Sequence, residues 1–161
     1  MDKAPEKAHA LIRELEVLPE KITVPAEKAV WHSMTAELYA RHYQNNSWTI
    51  NRRTQIAGFV PNEIKEWSKN IYFDKISALL DRSLENIEVL QKTDVLQFDV
   101  LIEKGEDSRT LQPTLFDFLA HRKIEMLTGI TEAIDLKNPL HSDRYFVPFT
   151  DFVALRLDTI Y

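Results

Sequence analysis

The sequence contains no cysteine, only three glycines, no block of basic residues and no long apolar run. Without cysteine the chain forms no disulfide, no thiolate metal site and no cysteine nucleophile. The glycines, Gly58, Gly105 and Gly129, stand too far apart for a P-loop or a dinucleotide-binding fingerprint, and β-rich folds usually need more turn glycines. No apolar run approaches the roughly 18 residues that a membrane-spanning helix needs. The scarcity of glycine argues against a β-rich fold.

The chain has 161 residues, of which 44% are hydrophobic and 28% are charged, and its formal net charge is −5. A domain of this size buries roughly 70% of the surface that its unfolded chain exposes, so it can build a hydrophobic core. Nucleic-acid-binding domains usually carry a basic face, whereas the only paired arginines here are Arg52 and Arg53. Composition therefore predicts a globular domain with no nucleic-acid partner and no transmembrane segment.

We interpret both ends of the sequence as places where a longer chain was cut. The first residues, MDKAPEKAHALIRELE, are charged and contain no apolar signal-peptide core. The last residues, FVALRLDTIY, are mainly apolar and carry no helix cap. We expect residues 1–161 to form a single helical domain excised from a longer multidomain protein, and an independent protein with ragged ends is the alternative.

Apolar residues recur at helical spacing over most of the chain, which predicts an all-α fold. We expect five or six antiparallel helices packed as an irregular tetratricopeptide-like, α-solenoid-type array. The connection over residues 48–67 is predicted as a long loop with a short helix near 62–67. The predicted helices cover about residues 5–17, 25–44 (ended by Asn45–Ser47), 70–91, 93–104, 113–127 and 150–157, with a turn or short helix near 131–136.

Residues 113–127, PTLFDFLAHRKIEML, place Asp117, His121 and Glu125 four residues apart on one stripe of a mainly apolar helix. Thr114 and Asp117 match a capping box that has Asp in place of the usual Glu or Gln. One interpretation of the stripe is a metal or acid–base site, because ligands on successive turns can converge on one ion. The other is the polar edge of a buried helix, in which Asp117 and His121 pair at i,i+4. We favour the polar edge, because one helix supplies all three ligands, and we predict no metal, cofactor or catalytic residue.

The remaining histidines and tryptophans of the central part of the chain lie beside aromatic residues or at the loop. His32 and His42 are expected to be half-buried packing residues rather than acid–base groups. Trp31, Trp48 and Trp67 could line a ligand groove, but anchoring of the core is the favoured interpretation.

The irregular loop is the segment in which we expect any partner contact. Its length and its aromatic content are typical of loops that carry function. If the helical array has a groove, we predict that the exposed residues Trp48, Arg52 and Arg53 contact another protein there.

Four segments of the chain, taken with their order and spacing, cover about residues 25–159: AVWHSMTAELYARHYQNNSWTINRRT, SLENIEVLQKT, TLFDFLAHR and FTDFVALRLDT. Together they resemble the N-terminal helical region of large bacterial alpha-2-macroglobulin-like proteins. The most specific part is PTLFDFLAHR, whereas the following KIEMLTGI departs from the apolar run expected there, because Lys123 and Glu125 interrupt it.

The resemblance implies a fragment of an exported protein of the cell envelope, in the periplasm, the outer membrane or at the cell surface. In that family the helical region precedes a series of β-sandwich domains, and the family is associated with protease trapping, in some members through a thioester built from Cys and Gln. This chain has no cysteine and cannot carry that thioester. The resemblance therefore implies a non-catalytic scaffold or protein-interaction module, whose partners are other domains of the same polypeptide or another protein. The alternative is a metal-binding or hydrolytic helical bundle that uses Asp117, His121 and Glu125.

Overall fold

The computed structural model describes residues 4–54, 56, 58–101 and 111–135. The fold of this part is all-α, as the sequence predicts, and it contains no strand. Three short 3-10 segments, Leu18–Lys21, Ile64–Glu66 and Val95–Phe98, lie between the longer helices. The α-helices, named α1 to α5 in chain order, are Ala4–Val17, Pro25–Ile50, Lys69–Arg82, Ile87–Lys92 and Leu115–Asp135.

The chain divides into two compact units, residues 1–130 and 131–161. The first unit contains α1 to α4 and most of α5, together with the whole core described below. The single domain over residues 1–161 and the tetratricopeptide-like arrangement stay predictions. The predicted helix over residues 150–157 lies outside the described residues.

The long helix α2 is the element against which α1 and α3 pack. Pro25 begins it, because proline in the first helical turn loses no hydrogen bond. The helix continues to Ile50, so the predicted end at Asn45–Ser47 is wrong. Ile50 is only 1% exposed. Its burial stabilises the last turn and outweighs the weak helix propensity of the polar residues before it.

The predicted single helix over residues 70–91 is also wrong, because the turn 83–86 separates α3 from α4. Ser83 is fully buried, and its hydroxyl donates to the carbonyl oxygen of Leu80 at 2.7 Å. A serine hydroxyl that bonds to a backbone carbonyl one turn earlier competes with the helical hydrogen bonds. Asn86 then leaves the helical region of backbone space, with φ −103° and ψ 56°. The apolar period continues through this break, which explains why the pattern alone indicates one helix.

The predicted helix over residues 93–104 is a 3-10 segment, Val95–Phe98, in the part that the structure describes. Its N-cap is Asp94, as predicted, and the Asp94 carboxylate accepts from the backbone N–H of Leu96 at 2.8 Å. An isolated antiparallel bridge joins Asp94 to Thr114. This bridge holds the 3-10 segment beside the first turn of α5.

Two groups of packed side chains on α2 position the candidate site. The first, which we call the aliphatic core, joins α2 to α4, to the 3-10 segment Val95–Phe98 and to α5. Its members are Ala26, Ala29, Val30, Leu90, Val95, Leu115 and Leu119. The second, which we call the aromatic cluster, joins α2 to α3 and to the connection between them; its members are Tyr39, His42, Tyr43, Trp67 and Tyr72.

Candidate protein-interaction surface

The aromatic cluster fixes the connection between α2 and α3 onto the helices. Trp67 stacks on Tyr39 with 5.6 Å between the ring centroids and meets Tyr72 edge-on at 5.5 Å. The Trp67 indole N–H donates to the carbonyl oxygen of Pro61 at 2.8 Å, so its polar atom is satisfied where the ring is buried. Trp67 therefore anchors the core, as predicted, and it holds the end of the loop in place.

Arg53, which the sequence assigns to the partner surface, is half-buried. Its Nη1 donates to the carbonyl oxygen of Trp67 at 2.9 Å. Burial raises the pKa of Tyr72 to about 12, and the charge of Arg53 opposes that shift. Arg53 thus links the two ends of the loop through this hydrogen bond. It contributes less to the solvent-exposed surface than the sequence predicts.

Trp48 and Arg52 form an exposed pair where α2 ends. The Arg52 Cζ lies 3.8 Å from the centroid of the Trp48 ring, which is a cation–π contact. Trp48 is 70% exposed, so the prediction that it anchors the core is wrong. It precedes the buried Ile50 by two residues, which places it roughly 200° around the helix, on the opposite face.

The loop that follows exposes further apolar side chains. Ile56, Phe59 and Val60 are 66%, 55% and 61% exposed. Gly58 turns the chain between them with a φ of +75°, in the left-handed region that favours glycine. We call the set Trp48, Arg52, Ile56, Phe59 and Val60 the loop surface.

Other exposed apolar residues are less informative. Val100, Leu101 and Leu111 are 97%, 56% and 73% exposed, but they flank residues 102–110, which lie outside the described residues. Single exposed apolar residues are normal on any protein surface. The loop surface differs because an exposed tryptophan, its stacked arginine and three further apolar side chains follow one another within positions 48–60.

The predicted polar stripe of α5 divides into two local pairs. The Asp117 Oδ2 accepts from the Thr114 backbone N–H at 3.1 Å and from the Thr114 hydroxyl at 2.7 Å, and the Thr114 Oγ1 accepts from the Asp117 N–H at 3.2 Å. This geometry confirms the capping box. His121 Nδ1 lies 3.4 Å from Glu125 Oε1, so the expected pairing of Asp117 with His121 is wrong. Over the described ranges, no three His, Asp or Glu residues are grouped so that they could hold a metal ion.

Removing the cap should weaken the start of α5. Thr114→Ala deletes the hydroxyl that exchanges hydrogen bonds with Asp117, and we expect the free energy of unfolding to fall by about 1 kcal/mol. Urea unfolding followed by far-UV circular dichroism measures the change. Thr114→Ser keeps the hydroxyl and should retain most of the stability, and equal losses in the two variants would contradict the capping role.

His42 takes the half-buried packing position that the sequence predicts. Its ring stacks on Tyr72 with 5.8 Å between centroids, and its Nδ1 lies 3.0 Å from the Tyr72 hydroxyl oxygen. These contacts place His42 at the edge of the aromatic cluster.

His32 is more deeply buried than predicted, at 4% exposed, and its Nδ1 has no hydrogen-bond partner among the described residues. Burial is the main reason that the pKa of His32 is lowered from 6.5, and the nearby charges of Arg82 and Lys28 lower it further. Glu85 and Glu20 oppose this shift without reversing it. The imidazole is therefore held neutral in the folded chain.

The stability of the fold should fall as the pH drops below about 6.5. The unfolded chain protonates His32 near that pH while the folded chain does so lower, so unfolding takes up a proton in the interval between the two pKa values. The slope from one such group is at most about 1.4 kcal/mol per pH unit. Urea midpoints between pH 5 and 8 should depend less on pH in His32→Gln than in the original chain, and equal slopes in the two would contradict the burial of a neutral His32.

Comparisons with models of protein families, with curated proteins and with solved structures found no match. None of the helices in the described ranges is both long and apolar enough to cross a membrane. The resemblance to the helical region of alpha-2-macroglobulin-like proteins therefore stays a prediction.

Proposed function

We propose that this chain is a non-catalytic helical scaffold that binds another protein segment through the loop surface. The observation that carries the proposal is the Trp48 side chain, 70% exposed and covered on one ring face by the Arg52 guanidinium. Tryptophan and arginine are the residues most often found at the energetic centre of protein interfaces. A partner that covers this pair would bury a large apolar area that the free chain leaves in water.

Several contacts hold the connection between α2 and α3 on the helices, which lowers the entropy cost of ordering it when a partner binds. Trp67 and Arg53 fix the C-terminal part of the connection to the aromatic cluster. A second helix, α1, holds the same part of the connection: Arg13 donates to the carbonyl oxygen of Asn62 and lies 3.6 Å from the Glu63 carboxylate. Because both ends of the connection are held on the helices, less entropy is lost on binding than for a loop without these contacts, so more of the contact energy appears as affinity.

The sequence resemblance points to the same kind of function. In bacterial alpha-2-macroglobulin-like proteins the helical region stands beside a series of β-sandwich domains. The partner in this proposal is a neighbouring domain of the same polypeptide or a second protein of the cell envelope, and the place of action is the envelope.

Site-specific photo-crosslinking tests the proposal. Benzoylphenylalanine is placed at Phe59 in the protein expressed from its own gene in its own cells, and at Ile124 of α5, 65% exposed, as the control. We expect a discrete cross-linked product, intramolecular or intermolecular, from position 59 and not from position 124. The product should be lost when Trp48→Ala and Arg52→Ala are added. A position 59 that cross-links no more than position 124 would overturn the proposal.

The alternative, a metal-binding or hydrolytic bundle, makes an opposite prediction for the α5 stripe. We expect zinc and EDTA to leave the thermal midpoint of the chain unchanged, because Asp117 is engaged with Thr114 and does not join the His121–Glu125 pair. A metal bound only by the folded chain would raise the midpoint. A zinc-dependent rise that disappears in His121→Ala would favour the alternative over the scaffold.

A further inference from the structure

A cavity of about 450 Å³ lies between α2 and the first half of α5, and Leu15 of α1 and Leu101 contribute to its wall. Sites for small molecules typically enclose roughly 300–1,000 Å³. Most of the wall is apolar, and its main contributors are Val30, Trp31, Met34, Leu38, Phe118 and Leu119.

One side of the cavity is polar and carries an excess of positive charge. Ser33, Glu37 and Arg41 follow one another at four-residue spacing along α2, so they share one face of that helix. Arg122 of α5 stands opposite them, and both Arg41 and Arg122 contact the Glu37 carboxylate. Two guanidinium groups against one carboxylate leave this side of the cavity with a net charge of about +1.

Two buried donors at this side have no partner among the described residues. Ser33 is 2% exposed, and its Oγ makes no hydrogen bond. The Nε of Arg122 is likewise buried and unpartnered. The other hydroxyl in the wall, that of Thr35, is satisfied because it donates to the carbonyl oxygen of Trp31 at 2.8 Å. Buried donors are normally paired, so these two are the groups that an acceptor in the cavity would satisfy. Both atoms are closed off from water, so an acceptor reaches them only when the two side chains rotate towards the cavity.

We propose that the cavity binds an amphipathic carboxylate of the fatty-acid type. Its carboxylate accepts from the Ser33 hydroxyl and the Arg122 Nε after a rotation of these two side chains, and its apolar body lies against Trp31, Met34 and Phe118. A carboxylate only accepts hydrogen bonds, and its charge complements the excess of guanidinium over Glu37. The site is separate from the loop surface, and the inference does not depend on the proposed interaction function.

Calorimetric titration of the chain with three ten-carbon probes tests the site. Decanoate, decanol and decyltrimethylammonium share the apolar body and differ only in the head group. We expect decanoate to bind with one-to-one saturation and roughly tenfold more tightly than decanol, because hydrogen bonds to a charged acceptor are stronger than those to a neutral one. The cation should bind more weakly than either.

Two substitutions assign the binding to the proposed donors. Ser33→Ala removes one oxygen, and Arg122→Lys keeps the charge but removes the Nε donor; each should weaken decanoate binding roughly tenfold. Arg52→Lys, an arginine change outside the cavity, should leave the affinity unchanged. Circular dichroism checks the fold of each variant. If Arg122→Lys does not fold, the affinity of Ser33→Ala for decanoate alone tests the proposed donors. Equal affinities for decanoate and decanol, absence of saturation, or a Ser33→Ala variant that binds decanoate as tightly as the original chain would overturn the inference.

Discussion

Replacing Trp67 with alanine is expected to lower the free energy of unfolding by about 3–5 kcal/mol, which is the usual effect of truncating a buried tryptophan. The indole is 9% exposed and contacts both Tyr39 and Tyr72 through its ring. The truncation also leaves the carbonyl oxygen of Pro61 without its indole donor. The cost therefore combines a cavity in the aromatic cluster with one lost hydrogen bond.

Trp48→Ala is the matched control, because it removes the same side chain from the last turn of α2, just before the connection begins. Trp48 is 70% exposed, so we expect the free energy of unfolding to change by no more than about 0.5 kcal/mol. Urea unfolding should be followed by far-UV circular dichroism, since both substitutions alter tryptophan fluorescence. Similar losses in the two variants would mean that the aromatic cluster does not hold the loop. Trp67→Phe should lie between Trp67→Ala and the original chain.

The contrast between these two tryptophans shows what the sequence could and could not predict. Both flank the irregular segment, and their neighbours in the sequence give the same weak indication of core anchoring. The difference depends on the end of α2: once the helix is known to reach Ile50, Trp48 is seen to lie on the opposite face. The end was misplaced because polar residues at 44–47 suggest a helix stop, whereas tertiary burial of Ile50 decides where the helix ends.

Contacts between residues close in sequence could be predicted, whereas contacts between residues far apart in sequence could not. The Thr114–Asp117 capping box could be recognised because both partners lie within four residues. Lys123, which interrupts the apolar run expected from the resemblance, has its Nζ 2.5 Å from Asp81 Oδ1 of α3. No sequence period indicates that pairing, because it exists only when α5 is placed beside α3. The cavity between α2 and α5 could not be predicted for the same reason, since Ser33 and Arg122 line one cavity only in the folded chain.

The attachment of α5 to the rest of the first unit should depend mainly on its buried leucines. Leu115 is 0% exposed and belongs to the aliphatic core that joins α5 to α2 and α4. We expect Leu115→Ala to lower the free energy of unfolding by about 2–5 kcal/mol through lost burial and the cavity that remains. Ile124→Ala on the same helix should have an effect within about 0.5 kcal/mol, because that side chain is 65% exposed.

Urea unfolding of the two α5 variants under identical conditions distinguishes a docked helix from a loosely held one. If Leu115→Ala costs no more than Ile124→Ala, α5 is not packed on the aliphatic core as described. The cavity wall formed by Phe118 and Leu119 would then be lost as well, and decanoate binding should fail together with the stability difference. If the leucine variant is strongly destabilised while its remaining folded fraction still binds decanoate, packing of α5 and recognition of the carboxylate are separable. Leu115 belongs to the aliphatic core and does not line the cavity, whereas Val30 and Leu119 belong to both.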